Sequence, residues 1–260
     1  MRHELKYLAN LDDVEIIREV VRHYCPLDKH GLDRPRQAYT VRSIYFDSPQ
    51  AAIYTHKVEG LHTRVKVRVR GYNDVPPESR VGLELKRKRA DLSWKTRAHA
   101  RLDQTASWLG STAASAERAD LFDAGEREAA DYFHYVVNRY TLRPVTLVVY
   151  EREAYVGHHD PSLRITFDMN LRGKLVGSLL ELGDACPHDV FDRHFILEVK
   201  FDHHRPSWIR PVLAELGLTR RALSKYVLVV DRAARAEHRS TAQVFNRLRS
   251  AGLGRVAFTV

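Results

Sequence analysis

The segment Arg64-Val65-Lys66-Val67-Arg68-Val69-Arg70 alternates cation and valine without a break. In a β-strand residues two apart share a face, so four cations line one side and three valines the other. Like-facing neighbours lie roughly 7 Å apart. At an effective dielectric of about 20, each adjacent pair repels by roughly 2 kcal/mol. A solvated face tolerates that repulsion. A concave face tolerates it only with an anion present. The charge of the whole chain is concentrated around this strand. The 260 residues include 42 Lys plus Arg and 33 Asp plus Glu, a net charge of +9. Between Leu61 and Arg101 stand twelve basic and four acidic residues, so eight of the nine net charges fall in that stretch.

The same two-residue period recurs along the chain. Glu84, Lys86 and Lys88 share a face, as do Lys95 and Arg97, Tyr150 and Arg152, Arg164, Thr166 and Asp168, Glu198 and Lys200, and Arg2, Glu4 and Lys6. The opposite faces are apolar: Val65, Val67 and Val69; Leu83 and Leu85; Ile165 and Phe167; Leu197, Val199 and Phe201. One or two such strands describe a sheet with a wet side. Seven segments point to a shared charged interior, which a closed or nearly closed barrel would provide, with apolar residues outward under helices. Such an interior must hold water, ions or a ligand, because unpaired buried charge is expensive.

Outward from these strands, Arg2–Leu8 reads as a strand and Asn10 as a helix cap before Val14, Ile17, Val20, Val21 and Tyr24, with Pro26 ending the helix. Residues 29–36 read as a polar loop. Tyr39–Phe46 reads as a strand stopped by Asp47-Ser48-Pro49, and 50–57 as a helical turn. Thr63–Tyr72, Val81–Arg89, Ser93–Arg101, Pro144–Val156, Ser162–Leu171 and His194–Phe201 read as strands. Residues 103–109, 113–140, 206–216 and 223–249 read as helical, with a mobile tail of about 15 residues. The sum is one mixed α+β domain with a mainly antiparallel sheet.

Several classes are excluded. No apolar run approaches the roughly 18–20 residues of a membrane helix, and the first residues lack a signal-peptide core. Cys25 and Cys186 make neither a disulfide framework nor a zinc site; the expected compartment is the cytoplasm. There is no Walker loop. Nucleic acid is excluded as the partner, since the basic face is interleaved with valine and no RNP-like or zinc-finger pattern occurs. A phosphate chain fits better, because Arg and Lys on several strands can grip consecutive phosphates. Glu84, Asp168 and Glu198 are hard oxygen donors that could hold a divalent cation. In the run Lys86-Arg87-Lys88-Arg89, Arg87 and Arg89 face away from Lys86 and Lys88. His158-His159 and His203-His204 read as surface loops. Tyr45, Phe46 and Trp94 read as packing residues. Tyr226 either orients Lys225 or anchors the last helix.

The ordered set RHELKYL (2–8), VRSIYFD (41–47), EGLHTRVKVRVRGY (59–72), LELKRKRADLSWKTR (83–97), YEREAY (150–155), LRITFD (163–168), ILEVK (196–200) and SKY (224–226) resembles the vacuolar transporter chaperone (VTC) domain. That family is the polyphosphate polymerase branch of the triphosphate tunnel metalloenzymes. The resemblance implies an antiparallel β-barrel tunnel with helices packed outside, spanning 1–235, followed by a helical extension over 236–260. It implies a polymerase that moves the γ-phosphate of ATP onto inorganic polyphosphate. Carried over by motif, the catalytic set is Arg68, Arg70, Lys86, Arg164, Lys200 and Glu198. The substrate-binding set is Lys6, Arg42, Arg64, Lys66, Lys95, Arg97, Arg152 and Lys225. Glu198 matches the family's metal-binding glutamate, implying Mn²⁺ or Mg²⁺, with Glu4, Glu84 and Asp168 as weaker ligands.

The related hydrolases open with E-x-E-x-K, whereas here Arg2 replaces the first glutamate, which shifts the expectation toward transfer. Neither an SPX sensor domain nor a C-terminal membrane segment is expected, so any membrane partner would be a separate protein. A phosphate acceptor is already anionic and needs no strong base, and no His–carboxylate dyad occurs at strand spacing. The alternatives are a tunnel triphosphatase acting on inorganic or nucleoside triphosphate, and a non-catalytic polyphosphate-binding protein.

Overall fold

The alternating segments are strands because β-branched residues fill one face and long cations the other. A computed structural model describes residues 3–90, 92–110, 121–202 and 204–251. The expectations placed on Arg2, on residues 113–120, on His203 and on the tail beyond 251 fall outside the described residues. The strands are β1 (His3–Asn10), β2 (Tyr39–Asp47), β3 (Thr63–Tyr72), β4 (Arg80–Arg89), β5 (Leu92–Arg101), β6 (Arg143–Val156), β7 (Arg164–Leu175), β8 (His188–Asp189) and β9 (His194–Phe201). They pair in the order β1-β9-β7-β6-β2-β3-β4-β5, with β8 beside β7. The pairs β1–β9, β7–β9, β3–β4 and β4–β5 are antiparallel, as expected for this α+β class. The helices are α1 (Val14–Tyr24), α2 (Lys29–Leu32), α3 (Ala52–Val58), α4 (Leu102–Gly110), α5 (Arg127–Arg139), α6 (Ile209–Glu215), α7 (Lys225–Ala236) and α8 (Thr241–Ala251).

The chain divides into two compact units. The first comprises Met1–Val41, Val149–Arg172 and Asp189–Ser224. Its core lies on the apolar face of β1, β9 and β7, where Tyr7, Ile165, Phe167, Phe195, Leu197 and Val199 pack under Ile17 and Val21 of α1 and Ile209 and Leu213 of α6. Burying such side chains contributes roughly 1.5–3 kcal/mol each. An ion pair fixes α1: Arg18 donates to both oxygens of the buried Glu153 at 2.9 and 3.0 Å.

The second unit comprises Arg42–Val148, Gly173–His188 and Lys225–Val260. Val67, Val69, Val81, Leu83, Leu85, Ala98 and Ala100 are buried on the apolar face of β3, β4 and β5. Helix α5 packs along β4 and β5. Arg87 reaches Tyr132 of α5, so the basic run of β4 does serve two faces. Asp47 closes β2 and starts α3. Its Oδ1 accepts from the backbone N–H of Ser48 and Ile53, and its Oδ2 from the N–H of Tyr54 and the hydroxyl of Tyr226. Tyr226 also stacks on Tyr45 at 5.4 Å, so it anchors α7.

Two local expectations differ. The polar loop over 29–36 contains α2, because the Asp28 side chain caps it by accepting from His30 N–H at 2.8 Å. The helix expected over 223–249 is two helices. His238 adopts a left-handed φ of 52°, and Ser240 restarts the chain by exchanging bonds with Gln243, a capping box that favours a new helix over continuation.

Gly173 of β7 lies against Val229 of α7. A Cβ at Gly173 would come within 2.3 Å of Val229 Cγ1 and 2.8 Å of the Leu147 carbonyl oxygen. Gly173→Ala is therefore expected to lower stability by about 1–3 kcal/mol in urea unfolding. Combination with Val229→Ala should destabilise by less than the sum of the two single changes.

Candidate functional site

Register turns the period of the sequence into rows. Across β3, β4 and β5 the charged face reads Arg64–Lys88–Ser93, Lys66–Lys86–Lys95, Arg68–Glu84–Arg97 and Arg70–Gly82–His99. These four rows carry eight cations and one carboxylate, and one row is three lysines abreast. Like charges directly opposite each other across strands are destabilising. Glu84 is the local counterweight. Arg68 Nε donates to its Oε2 at 2.8 Å, Arg97 donates to Oε1, and Lys95 Nζ lies 3.5 Å from Oε1. Burial alone would raise the Glu84 carboxyl, but Arg68, Arg70, Lys95 and Arg97 outweigh it and hold the group far below the usual carboxylate range. Burial pushes the Lys95 ammonium down, and the neighbouring Arg97, Arg68 and Arg70 add to this against the pull of Glu84, bringing it to about 8.

Strand β2 supplies two oxygens to the same face. Arg68 Nη1 donates to the Tyr45 hydroxyl at 2.9 Å, and Arg70 Nε to Ser43 Oγ at 3.0 Å. Burial would raise the Tyr45 phenol, yet Arg68, Arg70 and Lys66 bring it down to about 7. Because Ser43 and Tyr45 face these cations, Arg42 has the opposite parity. Its guanidinium donates instead to the carbonyl oxygens of Asn73 at 3.0 Å and Asp184 at 2.8 Å. The geometry thus separates Arg42 from the cations that the motifs group with it. Lys225 is buried in the first turn of α7.

The first unit has its own charged face. Lys6, Glu198 and Thr166 form one row across β1, β9 and β7, and Glu4, Lys200 and Arg164 the next. Glu198 is 3% exposed and accepts from Lys6 Nζ at 2.9 Å and Lys200 Nζ at 2.6 Å. Glu4 lies 3.5 and 3.6 Å from the same two ammonium groups. Arg152 grips Asp168 with two bonds of 2.6 and 2.8 Å, passes 3.7 Å from Glu198 and lies over the Tyr150 ring. Burial would lower the Arg152 guanidinium, but Asp168, Tyr150 and Glu198 raise it, so it stays charged. Burial lowers the Lys200 ammonium against the pull of Glu198. Arg164 donates to Asp28 at 2.7 Å. Here four cations (Lys6, Arg152, Arg164, Lys200) meet four carboxylates (Glu4, Asp28, Asp168, Glu198).

Among the described residues no three His, Cys, Asp or Glu side chains form a group that could hold a metal ion. The row of Glu198 nevertheless contains an unsatisfied oxygen. Thr166 Oγ1 is buried without a hydrogen-bond partner at the register position opposite Glu198. A carboxylate and a hydroxyl are hard donors of the kind Mg²⁺ and Mn²⁺ take, provided phosphate and water oxygens complete the set.

Sequence reading missed one pair. His99, in the row of Arg70, has its Nδ1 2.7 Å from Glu126 Oε1, and its backbone N–H donates to Glu126 Oε2 at 2.8 Å. The partner lies 27 residues away, so strand spacing carries no trace of it. The pair His158-His159 is exposed, as expected.

No curated protein matches the chain. Solved structures that align with it include the PH1819 protein from Pyrococcus horikoshii OT3, at 14% identity, covering 88% of this chain and 99% of that one with a TM-score of 0.42. Another is the candidate adenylyl cyclase HpAC1 from Hippeastrum, which has a dominant triphosphatase activity, at 13% identity, 92% and 97% coverage and a TM-score of 0.46. The sequence model of the VTC domain matches residues 1–233, and with the ordered motifs found on the strands described above, the chain belongs to the VTC domain family.

Proposed function

We propose that this protein is a polyphosphate polymerase that transfers the γ-phosphate of ATP to a growing inorganic polyphosphate chain. The observation that carries the reading is the face of β3, β4 and β5, where four successive rows carry eight cations to one carboxylate. A polyanion with one charge or more per phosphate is the ligand that such rows suit. Phosphoryl transfer is mostly positioning and electrostatic stabilisation. Arg64, Lys66, Arg68, Arg70, Lys86, Lys95 and Arg97 would hold phosphates and take the charge that develops on the transferred group. In the first unit, Lys6, Arg152, Arg164 and Lys200 are the candidate phosphate ligands, and Lys225 is a further one in the second. Arg42, tied to backbone carbonyls, is left out of the set.

A divalent cation, Mg²⁺ or Mn²⁺, would be held by Glu198 with Thr166 Oγ1 beside it. When bound it would neutralise charge between phosphates. Glu4 and Asp168 lie in the same unit and contribute charge balance. Glu84 is too weak a base to activate water, since its cations keep it ionised far below neutrality. Among the described residues no helix is long and apolar enough to cross a membrane.

The test is the purified chain with ATP, with and without Mg²⁺ or Mn²⁺, scored for long-chain polyphosphate and for free phosphate. Chain product supports transfer, and free phosphate alone supports a triphosphatase. Bound polyphosphate without turnover supports a binding protein. In that assay Arg68→Ala is expected to lower kcat/KM by a factor equivalent to about 2–4 kcal/mol, and a change below about tenfold would remove Arg68 from the reacting set.

Glu84→Gln leaves its cations without their counterweight. It should lower stability in anion-free buffer by about 3–5 kcal/mol and tighten polyphosphate binding, with added polyphosphate restoring more stability to the variant than to the parent. The charge on Lys95 is lost as pH rises through about 8. Polyphosphate affinity, read by titration, should therefore weaken from pH 7 to 9, and Lys95→Arg should flatten that decline.

A further inference from the structure

One end of the β3–β4–β5 face carries a group that phosphate binding does not use. His99 stands two residues beyond Arg97 on β5, hence on the same face, opposite Gly82 and in the row of Arg70. Glu126, in the turn that leads into α5, holds both its Nδ1 and its backbone N–H. Burial would raise the Glu126 carboxyl, yet the bonds from His99 and the charge of Arg80, 3.9 Å away, bring it below its ordinary value. An ionised carboxylate only accepts hydrogen bonds. Nδ1 therefore carries a proton, and Nε2 is the ring nitrogen whose lone pair is available in the uncharged tautomer.

The free edge of the ring lies over Gly82, where a Cβ would sit 3.6 Å from Cδ2 and 3.7 Å from Nε2. With no side chain at position 82, that edge is left open on the cation face. The imidazole is 32% exposed, so water reaches it. The charged groups around it are Arg70 on β3, Arg80 on β4, Arg97 and Arg101 on β5, and Asp123 and Glu126 before α5.

We propose that His99 accepts the proton of a water molecule attacking the terminal phosphorus of a bound triphosphate or polyphosphate, with Glu126 as its positioning residue. The inference rests on the reading of this face as a phosphate site, and it adds a hydrolytic branch to it. A bond forms between the water oxygen and the terminal phosphorus while the bridging P–O bond breaks. The leaving phosphate keeps the electron pair of the broken bond, and the water proton passes to Nε2. Glu126 stabilises the imidazolium until its proton returns to the leaving oxygen or to solvent. The products are orthophosphate and a chain one phosphate shorter. An anionic phosphate acceptor has no proton that must be removed, so the dyad has a task only when water is the nucleophile.

The test uses the full chain, inorganic tripolyphosphate and Mg²⁺, with orthophosphate release followed from about pH 5.5 to 9. Binding of long-chain polyphosphate and thermal unfolding are measured beside it. His99→Asn and His99→Gln are expected to lower kcat by about 100-fold or more and to lose the acid limb of the pH profile, with polyphosphate affinity close to that of the parent. Glu126→Gln should lower kcat by about tenfold or more with KM unchanged, and Glu126→Asp should recover part of the loss. A fall below about tenfold in both His99 variants overturns the proposal. So does a loss of polyphosphate affinity as large as the loss of rate, which would make His99 a phosphate ligand. A parent that binds polyphosphate but releases no orthophosphate also overturns it. A parent that binds no polyphosphate overturns the reading of the face itself.

Discussion

Like-charge crowding on β3, β4 and β5 is the constraint that organises the second unit. Antiparallel pairing sets Lys66, Lys86 and Lys95 in one row and Arg68, Glu84 and Arg97 in the next. At the separations of a sheet, such neighbours repel by kcal/mol amounts unless solvent or an anion screens them. Burying valine and leucine on the reverse face under α5 supplies the opposing free energy, because each large apolar side chain contributes roughly 1.5–3 kcal/mol. The two faces are therefore linked. The apolar face holds the cations in register, and the register fixes a spacing that phosphates can span.

The first unit handles charge differently. Its four cations each meet a carboxylate, and Glu198 sits between two lysines with both oxygens used. Buried pairs of this kind are weak sources of stability but strong determinants of geometry, since removing one partner strands the other. Such a balanced cluster holds its groups in place with or without a ligand, whereas the rows of β3, β4 and β5 carry an excess of one sign. The contrast is one of charge balance: the first cluster is neutralised within itself, and the second is not.

Strand identity, face and the cation rows were legible in the sequence because a period of two has one structural meaning. Thr63–Tyr72 and His194–Phe201 are found with the bounds that the alternation gives. The family motifs marked the charged strands correctly as elements, but a motif does not state parity. Arg42 sits one residue from Ser43 and so turns from Arg70 to the carbonyls of Asn73 and Asp184. Partners distant in sequence were not legible. Asp28 with Arg164 and Glu126 with His99 meet only because chain segments without periodic pattern return to the sheet. The break at Ser240 was readable in principle, since Ser-x-x-Gln is a capping signal, but the helical composition on both sides masked it.

The cations crowded on this face also decide which residue on it can move a proton. Any carboxylate placed among Arg68, Arg70, Lys95 and Arg97 is held ionised and loses the basicity that general-base catalysis needs. Glu84 can balance charge there and do little else. A base on such a face must be a neutral group whose lone pair is kept available, and imidazole is the side chain that meets this near neutral pH. It must also be oriented by an anion that lies off the cation rows, so that the anion does not compete with the ligand. Glu126 satisfies that condition because it approaches the edge strand from the turn before α5, binding the backbone and the ring of one residue together. Charge positioning and proton handling are thus assigned to different residues for one electrostatic reason.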